Sequence, residues 1–250
     1  MFFDFIPLTT VEIAVAVCII FLAYTIKGLS GFGSGLIAIP LLAFVLPLTI
    51  VVPVLSLLSY IGTIMQSLHL RKQVVWGDLL PLLPFSLLGI SVAIWLLVSL
   101  DANILIRALG IFILFYAIYS LLPVEIPAGS RRWAVAAGCG GGIVGALFGT
   151  GGPFYAAYLK LRQLDKGAFR ATIVMIFLFD GGARMTGYAV TGLFTEQVLT
   201  LVAILLPVFL AGMYVGNHLH IKIDQKRFNQ IISLLLVLSS IMLIIKSLEP

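Results

Sequence analysis

Two ionisable side chains in an apolar segment of this 250-residue chain could hold or balance an anion. Asp180 and Arg184 are four residues apart, so both would project from one face of a helix. Arg184 could bind an anion through charge-assisted hydrogen bonds, while Asp180 could neutralise Arg184 or carry a proton. Two alternatives stay open: the residues form a purely structural pair, or Arg184 extends outward to the polar end of its segment.

Two glycine-rich clusters could supply backbone donors for the same anion. Gly31-Phe32-Gly33-Ser34-Gly35 is followed 118 residues later by Gly149-Thr150-Gly151-Gly152-Pro153. Because glycine costs a helix about 1 kcal/mol relative to alanine, each cluster predicts a helix break and a short helix that begins near Ser34 or near Pro153. Free N–H groups at the start of such a helix favour an anion, and the Ser34 and Thr150 hydroxyls add donors.

Close packing of helices is the alternative explanation for these glycines. We favour packing for residues 138–145, where Gly141 and Gly145 have the Gly-x-x-x-Gly spacing. The two matched clusters favour a substrate site, because packing alone does not predict a helix break at the same place twice.

A polar face and a lysine extend the candidate site. Four side chains in the segment 50–70 are spaced three or four residues apart and share one helical face; they are Ser56, Ser59, Thr63 and Gln66. At the offset of 118 residues Gln66 corresponds to Arg184, so both are predicted to line one cavity. Lys27 is either a loop residue or a cation near the first cluster. The candidate substrate-binding residues are Lys27, Gly31, Gly33, Ser34, Gly35, Gln66, Gly149, Thr150, Gly151, Gly152 and Arg184.

The composition predicts that these residues are held by helices in a membrane. Hydrophobic residues make up 61% of the chain and charged residues only 10%, whereas soluble domains carry about 25% charged residues. Ten apolar segments run over 11–27, 36–46, 50–70, 79–99, 103–122, 132–148, 153–159, 169–190, 198–219 and 229–247. Six are long enough to span a bilayer, the first and sixth are borderline, and the second and seventh are too short. The first is predicted to be a retained helix and not a signal peptide.

The basic residues indicate how the chain is oriented. They gather in alternate connections, which are therefore predicted to be cytoplasmic, with both termini outside. These residues are Arg71, Lys72, Arg131, Arg132, Lys160, Arg162, Lys166, Arg170, Lys222, Lys226 and Arg227. Their place in short loops between apolar runs argues against nucleic-acid binding, despite a net charge of +5.

The chain also repeats itself. Trp76-Gly77-Asp78 corresponds to Phe194-Thr195-Glu196 at the same offset of 118 residues, and after a short insertion Asp101 corresponds to Asp224, 123 residues later. Each half has five segments, an odd number, so the halves have inverted topology, as in many secondary transporters. The predicted organisation is a first repeat over 1–122, a cytoplasmic linker over 123–132 and a second repeat over 133–250. Whether the first two segments of each repeat span the membrane or form a re-entrant hairpin stays open.

Together these features predict an all-α integral membrane protein and resemble a known family. Gly28-Leu-Ser-Gly31-Phe-Gly33-Ser-Gly35, an apolar run that ends at Pro40 and a second glycine-rich copy at 138–153 resemble the TauE/SafE family of sulfite-exporter-like permeases. The resemblance covers nearly the whole chain. It implies export of small sulfur-containing anions, such as sulfite or sulfonates, across the bacterial inner membrane. Ser34, Thr150, Pro153 and Lys27 depart from the family pattern and leave the exact anion open.

The leading hypothesis is a secondary transporter that exports such an anion by alternating access. An importer or channel for another small anion, or a non-transporting membrane subunit, is the alternative. The chain has no Gly-x-x-x-x-Gly-Lys-Ser/Thr motif for a nucleotide, and neither His-Glu-x-x-His nor Gly-x-Ser-x-Gly for an enzyme. We expect no cofactor and no metal. The expected partners are a small anion and membrane lipid, with a homodimer as an open alternative to a monomer.

Overall fold

The computed structural model describes residues 10–30, 34–121, 128–218 and 225–247, and within them the regular structure is helical, with no strand. The helices are α1 Thr10–Ser30, α2 Ser34–Leu42, α3 Leu48–Leu70, α4 Trp76–Leu79, α5 Leu83–Ser99, α6 Ala102–Leu121, α7 Ala134–Phe148, α8 Gly152–Leu161, α9 Lys166–Val190, α10 Glu196–His218 and α11 Gln225–Lys246. Short 3-10 turns cover Arg71–Gln73, Leu80–Leu82 and Arg131–Trp133. The prediction of an all-helical fold is confirmed for these residues.

The helices match the ten predicted apolar segments, with one addition. The single turn α4 and the 3-10 turn after it precede α5, because Pro81 lacks the N–H that an uninterrupted α-helix would use there. Five stretches are long and apolar enough to cross a membrane, and they correspond to the third, fourth, fifth, eighth and ninth segments: Leu48–Leu68, Trp76–Ser99, Ala102–Ser120, Lys166–Val190 and Glu196–Gly216. The tenth segment contributes the shorter apolar helix Leu236–Lys246, so its span stays a prediction.

The short second and seventh segments are helices of 9 and 10 residues, α2 and α8. At 1.5 Å per residue neither can cross the roughly 30 Å of hydrocarbon in a bilayer. Both begin at a glycine-rich cluster, as predicted.

One compact unit combines Met1–Val54, Leu100–Pro123 and Thr195–Pro250. In it α1 packs against α10, α11 packs against α6, and α2 lies on α1. Glycine allows the close approach: a Cβ added at Gly212 of α10 would lie 2.8 Å from the carbonyl oxygen of Phe21 in α1. Small residues of this kind let membrane helices associate through close van der Waals packing.

The other compact unit combines Leu55–Ser99 and Val124–Phe194. In it α5 packs along α7, while α8 contacts α7 and α9 contacts α5 and α8. A Cβ added at Gly89 of α5 would lie 2.5 Å from the carbonyl oxygen of Cys139 in α7, and one added at Gly138 would lie 2.8 Å from that of Leu82. The packing role predicted for the glycines of α7 is therefore confirmed at this contact.

The contacts of α10 on α1 and of α5 on α7 use corresponding positions of the predicted repeats. Phe21 precedes Cys139 by 118 residues, and Gly89 precedes Gly212 by 123 residues, which are the two offsets found in the sequence. In both contacts the glycine faces the carbonyl oxygen of the corresponding residue. Each compact unit contains segments from both predicted halves, and the boundaries of the repeats stay a prediction.

Replacing Gly89 with alanine should destabilise the protein. The added methyl would overlap backbone atoms of α7, which cannot rotate away, so we expect Gly89→Ala to lower the free energy of unfolding by about 1–3 kcal/mol. Gly145→Ala is the control, because its Cβ would have no neighbour closer than 3.6 Å. Denaturant unfolding in detergent, followed by tryptophan fluorescence, measures both; equal destabilisation by the two variants would contradict the packing role.

Candidate functional site

The second glycine cluster breaks the chain between α7 and α8. Gly149 has a φ of 59°, in the left-handed region that glycine adopts readily, and it ends α7. Its N–H donates to the carbonyl oxygen of Val144, and the Thr150 N–H points to the same oxygen at 3.5 Å. α8 then begins at Gly152, with Pro153 in its first turn. The break predicted at this cluster is confirmed.

Two side chains of α9 satisfy carbonyl groups that the break leaves without helical partners. The last carbonyls of a helix have no N–H four residues ahead to bond with. Arg184 donates from an Nη to the carbonyl oxygen of Gly145 at 2.7 Å, and the Tyr188 hydroxyl donates to that of Ala146 at 2.5 Å. A cation at this position also complements the negative end of the α7 dipole. Arg184 and Tyr188 therefore close the carboxyl end of α7.

Arg184 is paired with a buried carboxylate. Its Nε lies 3.0 Å from an oxygen of Asp180, and the two side chains are 11% and 1% exposed. The Nε is not aligned for a hydrogen bond with that oxygen but lies within ion-pair distance of it, so the contact is a buried ion pair. The other oxygen of Asp180 accepts a hydrogen bond from the Tyr155 hydroxyl of α8 at 2.5 Å. The Arg184 side chain therefore points into the compact unit that contains α7, α8 and α9. The alternative in which Arg184 extends outward to the polar end of its segment is wrong.

The amino end of α8 lacks the capping that α7 receives. No side chain caps it, and its N-cap position is occupied by Gly151. Directly before it, Thr150 is buried, and its hydroxyl has no hydrogen-bond partner among the described residues. Unpaired buried donors are unfavourable, and an N-terminus with free amides is attractive to an anion. Pro153 has no N–H and the Phe154 N–H donates to the Gly151 carbonyl at 3.2 Å. The donors left at this end are the Thr150 hydroxyl and the N–H groups of Gly151 and Gly152, for which the described residues supply no partner.

Gly145 is the point where the break and the ion pair meet. A Cβ placed there would lie 3.6 Å from the Cα of Gly151 and 3.7 Å from a carboxylate oxygen of Asp180. Gly151 itself has a packing role, because a Cβ on it would overlap the carbonyl oxygen of Gly141 in α7. The predictions that Gly149, Thr150, Gly151 and Gly152 bind substrate stay predictions, with Gly149 also needed for its backbone conformation.

The remaining predicted residues that the structure describes lie on α1, α2 and α3. Gln66 is half-buried on α3. Lys27 lies in the other compact unit, buried at the end of α1, with its ammonium 5.7 Å from the ring centre of Tyr24. Ser34 is buried at the start of α2 and Gly35 follows it half-buried. Gly31 and Gly33 lie outside the described residues.

Tyr155 and Tyr188 were missed by the sequence analysis. The available signal was spacing, since Asp180, Arg184 and Tyr188 follow each other at intervals of four residues on α9. No comparable pattern marks Tyr155, whose contact with α9 depends on where α8 lies. Within the described residues, no three of His, Cys, Asp and Glu gather as a metal site would require.

Comparison with known proteins identifies the family. The model of the family described as "Sulfite exporter TauE/SafE" matches residues 16–243. The chain belongs to the TauE/SafE family. A relative from Comamonas testosteroni, described as "Probable inner membrane transporter protein TsaS", is 24% identical over 175 residues, which cover 69% of this chain and 73% of that protein. No solved structure matches the chain.

Membership of the TauE/SafE family confirms the resemblance drawn from the glycine clusters. Together with the five apolar helices, it makes the protein a multi-pass membrane transporter and not an enzyme. The anion and the direction of movement are matters for proposal.

Removing Arg184 alone should destabilise this TauE/SafE protein more than removing the whole ion pair. Arg184→Met leaves the Asp180 carboxylate buried without its cation, which typically costs about 3–5 kcal/mol. The double variant Asp180→Asn/Arg184→Met has no unpaired charge and should recover part of that loss. Denaturant unfolding of the two single variants and the double variant measures the coupling; additive effects would show that the pair is not coupled.

Proposed function

We propose that this transporter exports a small oxyanion of the sulfite or sulfonate class by alternating access, with the break between α7 and α8 as part of its binding site. The observation that carries the proposal is the uncapped amino end of α8, preceded by the buried and unpaired Thr150 hydroxyl. An oxyanion accepts several hydrogen bonds at once and would satisfy these donors together. Family membership supports the substrate class, because the family is described by sulfite export.

Charge balance supports an anion at this place. The Asp180–Arg184 pair is neutral as a whole, so Asp180 leaves no unpaired negative charge that would repel an anion. The helix dipole of α8 favours negative charge near its amino end. Export of an anion alone from a negative cytoplasm is favourable by about 2.3 kcal/mol per charge per 100 mV, so the membrane potential can drive uniport. A proton moved together with a monoanion would cancel this electrical drive.

The repeated contacts of α5 on α7 and of α10 on α1 support alternating access. Inverted repeats let a transporter exchange two equivalent arrangements by rocking about a fixed site. The orientation proposed from the basic loops places both termini outside the bacterial inner membrane. Labelling a cysteine introduced at Pro250 with an impermeant thiol reagent in whole cells tests that orientation.

The substrate site is tested by removing the Thr150 hydroxyl. Thr150→Val keeps the shape and removes an unpaired group, so the empty protein should keep its melting temperature. Its anion affinity should fall about tenfold or more, because a hydrogen bond to a charged group contributes about 1.5–3 kcal/mol. Thr186→Val is the control, since the exposed Thr186 hydroxyl donates to the Gly182 carbonyl of its own helix.

Thermal stabilisation by sulfite, sulfate, sulfoacetate, taurine, acetate and chloride measures the affinity, and flux into proteoliposomes measures transport. Stabilisation by none of these compounds would contradict the anion site. Equal affinity of Thr150→Val and the native protein would remove Thr150 from the site while leaving the transport function open.

Asp180 is the proposed proton carrier. A bound monoanion beside Asp180 and Arg184 would give this cluster a net negative charge, and a proton on Asp180 would restore neutrality. An imposed pH gradient should therefore drive anion flux in proteoliposomes with the native protein but not with Asp180→Asn. The Tyr155 hydroxyl, which donates to Asp180, can still donate to the asparagine carbonyl. An equal response of both proteins to the gradient would assign proton coupling elsewhere, and no response in either would favour uniport.

A further inference from the structure

A second cluster of charges lies at the other end of α8, away from the helix break. Asp78 of α4 accepts from the Nε of Arg131 at 2.8 Å and from the Nε of Arg162 at 3.0 Å, both on the same carboxylate oxygen. Arg162 follows α8 directly and also donates to the carbonyl oxygen of Gly129 at 2.5 Å. All four residues belong to one compact unit. The cluster therefore ties together α4, the turn before α7 and the end of α8.

The described part of this cluster has more positive than negative charge. Two guanidinium groups share one carboxylate, and Asp78 is buried while the Arg131 side chain is 58% exposed. Asp165, three residues after Arg162, is occupied elsewhere, because its carboxylate caps α9 at Gly167 and Ala168. The hydrogen bond that Arg131 donates to Asp78 raises the pKa of Arg131 above its ordinary value, so this guanidinium stays charged.

A buried donor without a partner lies beside these charges. Tyr158 of α8 is buried, and its hydroxyl has no hydrogen-bond partner among the described residues. Tyr158 lies one helical turn before Arg162, whose N–H donates to the Tyr158 carbonyl at 3.0 Å, so both side chains project from the same face of α8. The charges of Asp78, Arg162 and Arg131 act on the Tyr158 hydroxyl. Two guanidinium groups carry more N–H donors than the Asp78 carboxylate and the Gly129 carbonyl can accept, so most of the unused capacity of the cluster consists of donors. A ligand that only accepts hydrogen bonds and carries negative charge fits this arrangement.

The surroundings of the cluster indicate where such a ligand would come from. Trp133 adjoins the Arg131–Arg132 pair and Trp76 lies two residues before Asp78; both rings are exposed. Tryptophan is enriched where the hydrocarbon meets the headgroups, and exposed arginines there attract anionic lipids. The basic loops also place this end of the protein at the cytoplasmic surface, whose leaflet is rich in such lipids.

We propose that Arg131, Arg162 and Tyr158 form a second oxyanion site, whose ligand is the phosphodiester headgroup of an anionic phospholipid. The phosphate oxygens would accept from the exposed guanidinium of Arg131 and from the Tyr158 hydroxyl, and Asp78 would keep both arginines in place. The site shares no side chain with the cluster around Asp180 and Arg184. It does not depend on the transported anion, so it can be tested apart from transport.

The test compares melting temperatures in nanodiscs of phosphatidylcholine alone and of phosphatidylcholine with phosphatidylglycerol. The native protein should melt at a higher temperature with phosphatidylglycerol, and Arg131→Gln and Tyr158→Phe should each lose at least half of that increase. In phosphatidylcholine alone, Tyr158→Phe should melt no lower than the native protein, because it removes only an unpaired hydroxyl. Arg71→Gln is the matched control: it removes one exposed positive charge from the same compact unit and should keep the full increase.

A second arm separates a lipid headgroup from a free anion. Inorganic phosphate is added to the phosphatidylcholine nanodiscs with the same four proteins. A phosphate-dependent increase that Arg131→Gln and Tyr158→Phe lose, without any effect of phosphatidylglycerol, would support the oxyanion site and assign it to a free anion. An equal lipid-dependent increase in all four proteins would overturn the site. A loss in Arg71→Gln as large as in Arg131→Gln would also overturn it, because general surface charge would then explain the effect.

Discussion

A helix that stops inside an apolar environment must find other partners for the N–H and C=O groups it leaves behind. This constraint organises the chemistry of the unit that contains α7, α8 and α9. The carbonyl groups at the end of α7 are taken by Arg184 and Tyr188, and the arginine is in turn balanced by Asp180. The amides at the start of α8 receive no side-chain cap. The proposed anion site depends on this asymmetry between the two ends.

Glycines make this arrangement possible by letting backbones touch. Gly151 lies against the carbonyl of Gly141, and Gly142 lies against that of Ser86. A larger residue at either position would move α8 or α5 away from α7, and the side chains of α9 would no longer reach the end of α7. The glycines of α7 and of the break are thus explained partly by packing, and only partly by the uncapped amides at the start of α8.

The short helix α8 connects two polar clusters of different chemistry. Tyr155 donates to the buried Asp180, and about one turn later Tyr158 is buried with a hydroxyl that has no hydrogen-bond partner among the described residues. Ten residues of helix extend for about 15 Å, so both clusters are held by one rigid element. A movement of α8 during transport would change both clusters together, which links the proposed anion site to the surface where the proposed lipid headgroup would bind.

The sequence by itself determined the class of the protein, the helical segments and the position of the second break. Hydrophobicity, charge placement and the cost of glycine in a helix are properties of short stretches of sequence, and they do not depend on which helices pack together. The sequence also singled out Asp180 and Arg184, because an ionisable pair within an apolar segment can be recognised wherever that segment lies in the fold. The tertiary structure alone decided that Arg184 turns inward to the Gly145 carbonyl, that Tyr155 and Tyr188 join it, and that Gly151 packs against α7. Those outcomes depend on which helices lie side by side. The four-residue spacing on α9 places Tyr188 on the same face as Arg184, but it carries no information about the carbonyl groups of α7 that both side chains reach.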